Sequence, residues 1–496
     1  MKSIPRHEGR WRSFISFFVG KQSGYSSLCV VLASLFEAAA RTLLSHTNMA
    51  PFLGDREASD ISTESSLLPL KLRQGRLGNQ TTPKTKMANE AQLCEDDQVE
   101  NLAVAIELKF LLPLLVDGEA DPEEQDSRPV QRISRDARND EDACRKQAYE
   151  AVAKTIRQAG SGATTIQSIS AQNLTERQFW ESAWIVKKAN SVEPGPEEKK
   201  ISSNRYVWVP LEISSPKMPA QDADTHHHIK RVLTALNFNH RLRANFTCEV
   251  HVHLGRIDGR SFALPTLKRL GSFLWAAEPT LRSIRDPRSP NYNNVYTWGS
   301  ELRRYSRLAE KVSESNTSLP RPADDIEDAG VRRILCGQVM PQDRRALHEI
   351  WQAKTSLDLG RLLSGPGKQY RRLGFNFSAF GLEDERAHRS PRTIEFRMME
   401  GTVQHDLILN WVIICSRICE VAMLRSDERF SGAVSRLLQG MGEHSTGRAR
   451  GETLAQHRGR TLRELMQDLE IPAPVFEGFE NKVIREHEGA IGVTGL

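Results

Sequence analysis

The chain lacks any uninterrupted stretch of the roughly 18 apolar residues that a membrane-spanning helix needs. Its best candidate, SLCVVLASLFEAAARTLL, is broken by Glu37 and Arg41, so no membrane partner is expected. Cysteine is scarce and scattered. The seven positions, Cys29, Cys94, Cys144, Cys248, Cys336, Cys415 and Cys419, are odd in number and lack the spacing of a secreted disulfide framework, which points to a reducing compartment and a cytoplasmic location. Cys415 and Cys419 are spaced as buried packing on a helix would be. CxxC, HExxH and P-loop patterns are all missing, which removes the commonest zinc and nucleotide motifs. Excess charge is also missing: a net +5 spread over 496 residues gives no concentrated basic face, so nucleic acid is not an expected partner. The first 21 residues are basic and partly hydrophobic, as in a presequence, but Glu8 and the want of a cleavage region argue against one.

What is present is ordinary soluble-domain material, 39% hydrophobic and 26% charged. At about 150 residues per domain the length allows up to three units, and one large α+β domain with flanks fits equally. Residues 1–98 carry a Leu/Ala-rich stretch, expected to form a helix near Cys29 to Leu44, and then a Ser/Thr/Gly/Asn/Lys-rich segment without either hydrophobic period. We expect a mostly disordered flank there. A strand begins after Asn101 and leads into an acidic, turn-rich stretch at 118–142, expected to be an exposed insertion. ACRKQAYEAVAKTIRQAG reads as a helix ending at Gly160, SAWIVKKANSV as a strand, and DTHHHIKRVLTALNFN as a helix with an Asp/Thr cap signal. FALPTLKRLGSFLWAAEPTLRSI has helical period, residues 311–345 read as loop, and RRALHEIWQAKTSLDLGRLLS reads as helical. QHDLILNWVIICSRICEVAML is apolar almost all round, so it must be well buried. Residues 426–496 are expected to hold one or two small helices, such as TLRELMQDLE, and a polar tail. No internal repeat is present.

Four short stretches carry the chemistry: AVAIELKF, VWVPLEISSP, EVHVHLG and TIEFRMMEG. Successive side chains of a strand point to opposite faces. Val250, Val252 and Leu254 can therefore enter a core while Glu249, His251 and His253 share the other side. The same rule sets Glu107 and Lys109 against Ile106 and Leu108, Glu212 and Ser214 against Leu211 and Ile213, and Glu395 and Arg397 against Ile394, Phe396 and Met398. If the four strands pair in one sheet, carboxylates, imidazoles and a guanidinium converge on one surface. Each piece alone has a plainer explanation. Strand histidines are more often structural hydrogen bonders than ligands, Glu395 with Arg397 fits an exposed cross-strand ladder, and Glu107 and Glu212 fit solvated sheet positions. The plainer account weakens for Glu395 and Arg397, because a strand followed by an almost wholly apolar helix is expected to be central, where charges must pair, bind an ion or line a cavity. Several glutamates, a histidine and an arginine on a sheet floor suit a hard divalent cation and a transferring phosphoryl group better than zinc hydrolysis.

The ordered series AIELKFLLP, WIVKKANSV, LEISSP, CEVHVHLG, LGFNFSAFG and TIEFRMMEGTVQHDLILNWV resembles the fungal and bacterial amidoligase family, within the glutamine synthetase and glutamate-cysteine ligase superfamily. The resemblance covers roughly residues 99–425, and HVHLG with the TIEFR, EGT and NW block is its most specific part. It implies an α+β fold in which a curved, mainly antiparallel sheet of the glutamine synthetase catalytic-domain type is packed by helices on one face and forms one wall of a funnel. ATP and Mg²⁺ or Mn²⁺ are the implied cofactors. Glu107, Glu212 and Glu395 match metal-binding glutamates. His251 or His253 matches the histidine near metal and ATP phosphate, with His253 taken as the ligand and His251 as the phosphate-side residue. Arg397 matches the arginine on the transferred phosphate, and Asn376 an asparagine of the family pattern. Glu395, Arg397 and His253 are the implied catalytic set. The chain departs from the pattern at Lys109, where relatives usually carry a second acid. Three consequences are open: fewer metals, a lysine that itself contacts phosphate, or a degenerate site.

The expected function is ATP-dependent ligation of a small-molecule or peptide carboxylate to an amine, through an acyl phosphate. The competing expectation is a catalytically degenerate relative that binds a nucleotide or a partner. A metal-dependent amide hydrolase using His251 and His253 ranks below both, since no third zinc ligand follows at recognisable spacing. The sequence leaves the substrates and the oligomeric state open.

Overall fold

An apolar alternation of unusual length sets the centre of the molecule. Strand β1 (Leu102–Val116) sends Leu102, Val104, Ile106, Leu108, Phe110, Leu112, Leu114 and Val116 into the hydrophobic core, leaving Glu107 and Lys109 on the opposite face. Its neighbours in chain order are β2 (Gln131–Ile133), β3 (Ala163–Thr165), β4 (Trp184–Lys188), β5 (Tyr206–Ser214), β6 (Met218–Pro219), β7 (Glu249–Arg256), β8 (Phe375–Asn376) and β9 (Ile394–Glu400). The computed structural model describes residues 97–202, 204–292, 299–314, 326, 328–337, 339–367, 370–382, 391–424, 427–442 and 451–491, all within the compact unit Thr82–Leu496. The helix expected near Cys29 to Leu44 and the disordered flank over 1–98 fall almost wholly outside the described residues.

The strands form one sheet in the order β3-β4-β5-β1-β7-β9-β8, with β2 and β6 also pairing to β1. Pairing is antiparallel except between β1 and β2 and between β3 and β4, so the chain is mixed α+β with a mostly antiparallel open sheet. Pro113 has no N–H to give a neighbour, yet it sits in this central strand. It is tolerated because β7 pairs with β1 only as far as Leu108, and on that side Pro113 falls between the bridge from Leu111 to Arg243 and the first β2 partner at Leu114.

The helices are α1 (Glu141–Gln158), α2 (Ile166–Ala171), α3 (Pro196–Ser202), α4 (Ala223–Asn239), α5 (Leu264–Arg282), α6 (Leu302–Tyr305), α7 (Arg307–Glu314), α8 (Ala329–Cys336), α9 (Pro341–Gln352), α10 (Ser356–Leu362), α11 (His405–Met423), α12 (Asp427–Gly442), α13 (Leu454–Asp468) and α14 (Ala473–Ile491). Helix α1 starts where the Asp140 carboxylate accepts from Asp142 and Ala143 N–H, and it stops before Gly160 at φ +79°. Helices α1 and α11 pack on the apolar face of the sheet, α4 and α5 pack against them, and α12, α13 and α14 cover α5 and α11. Among the described residues no single helix is long and apolar enough to cross a membrane, and the near-continuous apolarity of α11 is accounted for by burial on several sides.

Two segments differ from the sequence expectation. Part of the stretch read as loop at 311–345 is helical: α8 buries Val331, Ile334 and Leu335, and its first turn is capped by Asp328, which accepts from Val331 N–H at 3.0 Å. A helix of two turns is too short to show a convincing period. Among its described residues the C-terminal segment carries three helices where one or two were expected: α13 contains the TLRELMQDLE stretch, and α14 goes beyond the expectation because its apolar stripe (Phe476, Phe479, Val483) is interleaved with charged residues and reads as polar by composition. The acidic stretch is tied down at Asp121 by Arg241, whose Nη1 lies 2.7 Å from Oδ2, and it contributes β2 to the sheet.

At Gly401 the chain leaving β9 crosses the start of β7. Gly401 N–H donates to Cys248 O at 2.8 Å, and a Cβ there would stand 2.3 Å from Cys248 Cβ and 2.6 Å from its carbonyl carbon. Only glycine permits this approach, and it fixes the spacing of the two strands that carry most of the polar face. Gly401→Ala is expected to lower stability by about 1–3 kcal/mol through overpacking, read as a shift of the urea unfolding midpoint.

Candidate functional site

The pairing register assembles the polar face row by row. His253 stands opposite Ala105 on one side and Glu395 on the other, and Asn376 extends the row beyond Glu395. The next row runs from Ser214 through Glu107 to His251. A third places Lys187 of β4 opposite Glu212 and Glu212 opposite Lys109. Between the pairs Val250↔Met399 and Val252↔Phe396 the ladder slips by one residue, so Arg397 and Met398 together oppose His251. Such a bulge re-aims a side chain next to a site, and here it also returns Glu400 to a position opposite Glu249.

Among the described residues, Glu107, His253 and Glu395 form a group that could hold a metal ion. One ligand atom from each lies within 4.8 Å of the others. His253 Nδ1 meets Thr393 Oγ1 at 3.2 Å, which turns Nε2 towards the two carboxylates. That Nε2 is buried without a hydrogen-bond partner, 3.6 Å from Glu107 and 3.8 Å from Glu395. Imidazole and two carboxylates facing a common point, with the imidazole nitrogen unsatisfied, suit a divalent cation. Glu395 is oriented in turn by Asn376, whose Nδ2 donates to Oε2 at 2.7 Å while its own Oδ1 accepts from Ser378 N–H. Asn376 therefore orients a candidate ligand.

His251 sits beneath this group, 1% exposed, and joins it to a second cluster. Its Nδ1 lies 3.3 Å from Glu107 and 3.0 Å from Glu395, and its Nε2 3.0 Å from Glu249. Burial opposes charge on this ring, and Arg397 and Lys109 oppose it further, but the hydrogen bonds to Glu107 and Glu249 prevail and hold its pKa up at about 9. The carboxylates shift the other way. Burial alone would raise Glu249, yet the His251 hydrogen bond and the charges of His251, Arg397 and Lys109 bring it down to about 2. Glu395 is held below its ordinary range against burial, chiefly by Arg397 and His253, and Glu107 likewise by His253 and His251. Arg397 Nη1 is bonded to Glu395, and its Nη2 is 3.7 Å from Glu249.

Every residue singled out in the sequence lies on this one face, but they do not form one ligand set. Glu212, expected as a metal ligand, pairs with Lys187 Nζ at 3.3 Å, and burial together with Glu107 raises its pKa. Lys109 Nζ lies 3.4 Å from Glu249. Sequence reasoning placed Glu249 on the face without giving it a role, and it passed over Lys187. Alternation in WIVKK was the available signal: with Trp184 and Val186 in the core, Lys187 must face Glu212. Beyond Lys109 the face turns apolar, with Leu111, Ala189, Val192 and Cys248 packed together, which closes that end of the charged patch. A cavity of about 680 Å³ opens elsewhere, lined by residues including Asp97, Arg269 and Asp328. It shares no lining residue with this face, and its Arg269 and Asp328 form a 2.8 Å ion pair.

The His251 shift has a defined pH consequence. Its folded-state pKa of about 9 exceeds the unfolded value near 6.5, so the stabilisation is fully present below pH 6.5 and is lost as pH rises through 9, by at most about 3 kcal/mol. Urea unfolding of the metal-free protein should show this decline, and His251→Gln should flatten it. Comparison with family models, with curated proteins and with solved structures finds no match.

Proposed function

We propose that the chain is an ATP-dependent carboxylate–amine ligase, built on a sheet of the glutamine synthetase type and working with Mg²⁺ or Mn²⁺. One observation carries the reading: Glu107, His253 and Glu395 gather around a common point, with Arg397 bonded to Glu395 beside them. In this reading a small-molecule or peptide carboxylate attacks the γ-phosphate to give an acyl phosphate and ADP, and an amine then displaces phosphate to form the amide.

The main barrier to the first step is repulsion between two anionic reactants. A divalent cation bound at Glu107, His253 and Glu395 would offset that charge and orient the phosphate oxygens. The protein's own groups divide the remaining work. Thr393 and Asn376 fix the directions of His253 and Glu395, Arg397 supplies a guanidinium towards the transferring phosphoryl group, and His251 keeps Glu107, Glu249 and Glu395 together without itself being a ligand. A hydrolase using both histidines is less favoured, because it needs His251 as a ligand and both His251 nitrogens are engaged with carboxylates.

The runner-up is a nucleotide- or partner-binding relative without turnover. It draws support from the two lysines that ion-pair with acids of the same face. The test measures release of ADP and phosphate with Mg²⁺ or Mn²⁺ across paired amino acids, peptides and polyamines. Release that depends on both a carboxylate and an amine is expected, and Glu395→Gln and Arg397→Ala should each lower it by about 100-fold or more. ATP binding with no turnover across that panel would favour the runner-up.

A further inference from the structure

Charge on the polar face is matched unevenly. Four acids stand there, and lysine ion pairs fall on two of them, Glu249 and Glu212. Three positive groups converge on the same oxygen of Glu249: His251 Nε2 at 3.0 Å, Lys109 Nζ at 3.4 Å and Arg397 Nη2 at 3.7 Å. Glu212 has Lys187 Nζ at 3.3 Å and stands in register with Lys109. Lys187 is held in place by a second acid, Glu176, at 3.1 Å. Glu395 takes Arg397 Nη1 and shares His251 Nδ1 with Glu107, and the two carboxylates turn with His253 towards the common point.

The side chain of Lys109 is 6% exposed, so its ammonium is held within the protein beside Glu249. A divalent ion placed between Glu249 and Glu212 would meet that ammonium at short range. Its repulsion is twice that between two unit charges, and the low-dielectric floor screens it weakly. Displacing the lysine would leave a buried ammonium without its carboxylate, which is costlier still.

We propose that this face is a single-ion centre, in which the Lys109 ammonium permanently occupies the place of a second cation. One divalent ion binds at Glu107, His253 and Glu395, and Glu249 and Glu212 are neutralised from within by Lys109, Lys187 and Arg397. The inference deepens the ligase reading above and rests on its metal site.

The number of ions is the readout, counted from the EPR signal of free Mn²⁺ at equilibrium with the whole chain, in the absence of ATP and substrate. The wild-type chain should bind one Mn²⁺. Lys109→Glu should bind two, and Lys109→Gln, which keeps most of the side-chain length but removes the charge, should bind a second ion more weakly than the first. A wild-type stoichiometry of zero, or of two or more, overturns the proposal. So does a folded Lys109→Gln or Lys109→Glu protein, checked by circular dichroism, that still binds a single ion. Because no turnover is measured, failure to find ligase activity would leave this result standing, and a wrong ion count would leave the ADP-release test untouched.

Discussion

Buried charge on a sheet has to be compensated within the protein, and the polar face of this molecule is organised by that requirement. Glu249, His251, Glu395, Lys109 and Arg397 are each no more than 9% exposed at the side chain. A charge buried there without a partner would carry a large desolvation cost, so each has to be paired. His251 is the link that makes the set work. As an imidazolium it donates from both nitrogens, to Glu249 on one side and to Glu107 and Glu395 on the other, so a single residue holds two clusters in fixed relation. A neutral His251 would keep only one donor and would leave at least one of those carboxylates facing a lone pair.

The same requirement explains why His253, two residues along the same strand, behaves differently. Its Nδ1 is taken up by a neutral hydroxyl, that of Thr393, and its Nε2 reaches no hydrogen-bond partner. One histidine of the HVH pair is therefore committed to holding the floor together while the other turns its Nε2 towards the point it shares with Glu107 and Glu395. The division follows from depth: His251 is 1% exposed and His253 17% exposed at the side chain.

Much of this was legible in the sequence, and the missing parts are of a definite kind. Period-two alternation placed Glu107, Lys109, Glu212, Glu249, His251, His253, Glu395 and Arg397 on one side of their strands, and the register brings those sides together. What alternation cannot supply is distance across strands. Whether Glu212 reaches an ion or a lysine depends on β4, a five-residue strand whose Lys187 looks like any solvated charge until β4 is set beside β5. The bulge opposite His251 is equally hidden, because one extra residue in β9 changes which groups face one another without breaking the pattern in either strand. The helices divide in the same way. Long, strongly apolar α11 was evident, and so was the TLRELMQDLE part of α13, whereas the short α8 and the charged α14 owe their helicity to the surfaces they cover.

Those last helices also bear on the site. Lys482 of α14 donates to Ile284 O at 2.6 Å and lies 3.2 Å from Glu400, the residue that closes β9 and stands opposite Glu249. Glu400 also accepts from Asp286 N–H at 3.1 Å, and the His487 ring meets Ser283 O at 2.8 Å. The C-terminal helix thus grips the end of α5 and the end of β9 together, at the edge of the cluster around Glu249. The polar face is consequently held from two directions: from beneath by the α1 and α11 layer that fixes strand alternation, and from one end by a C-terminal segment that fixes where β9 stops. A site whose ligands come from neighbouring strands needs both, because the helix layer sets which way side chains point and the end contact sets how far along the strand they lie.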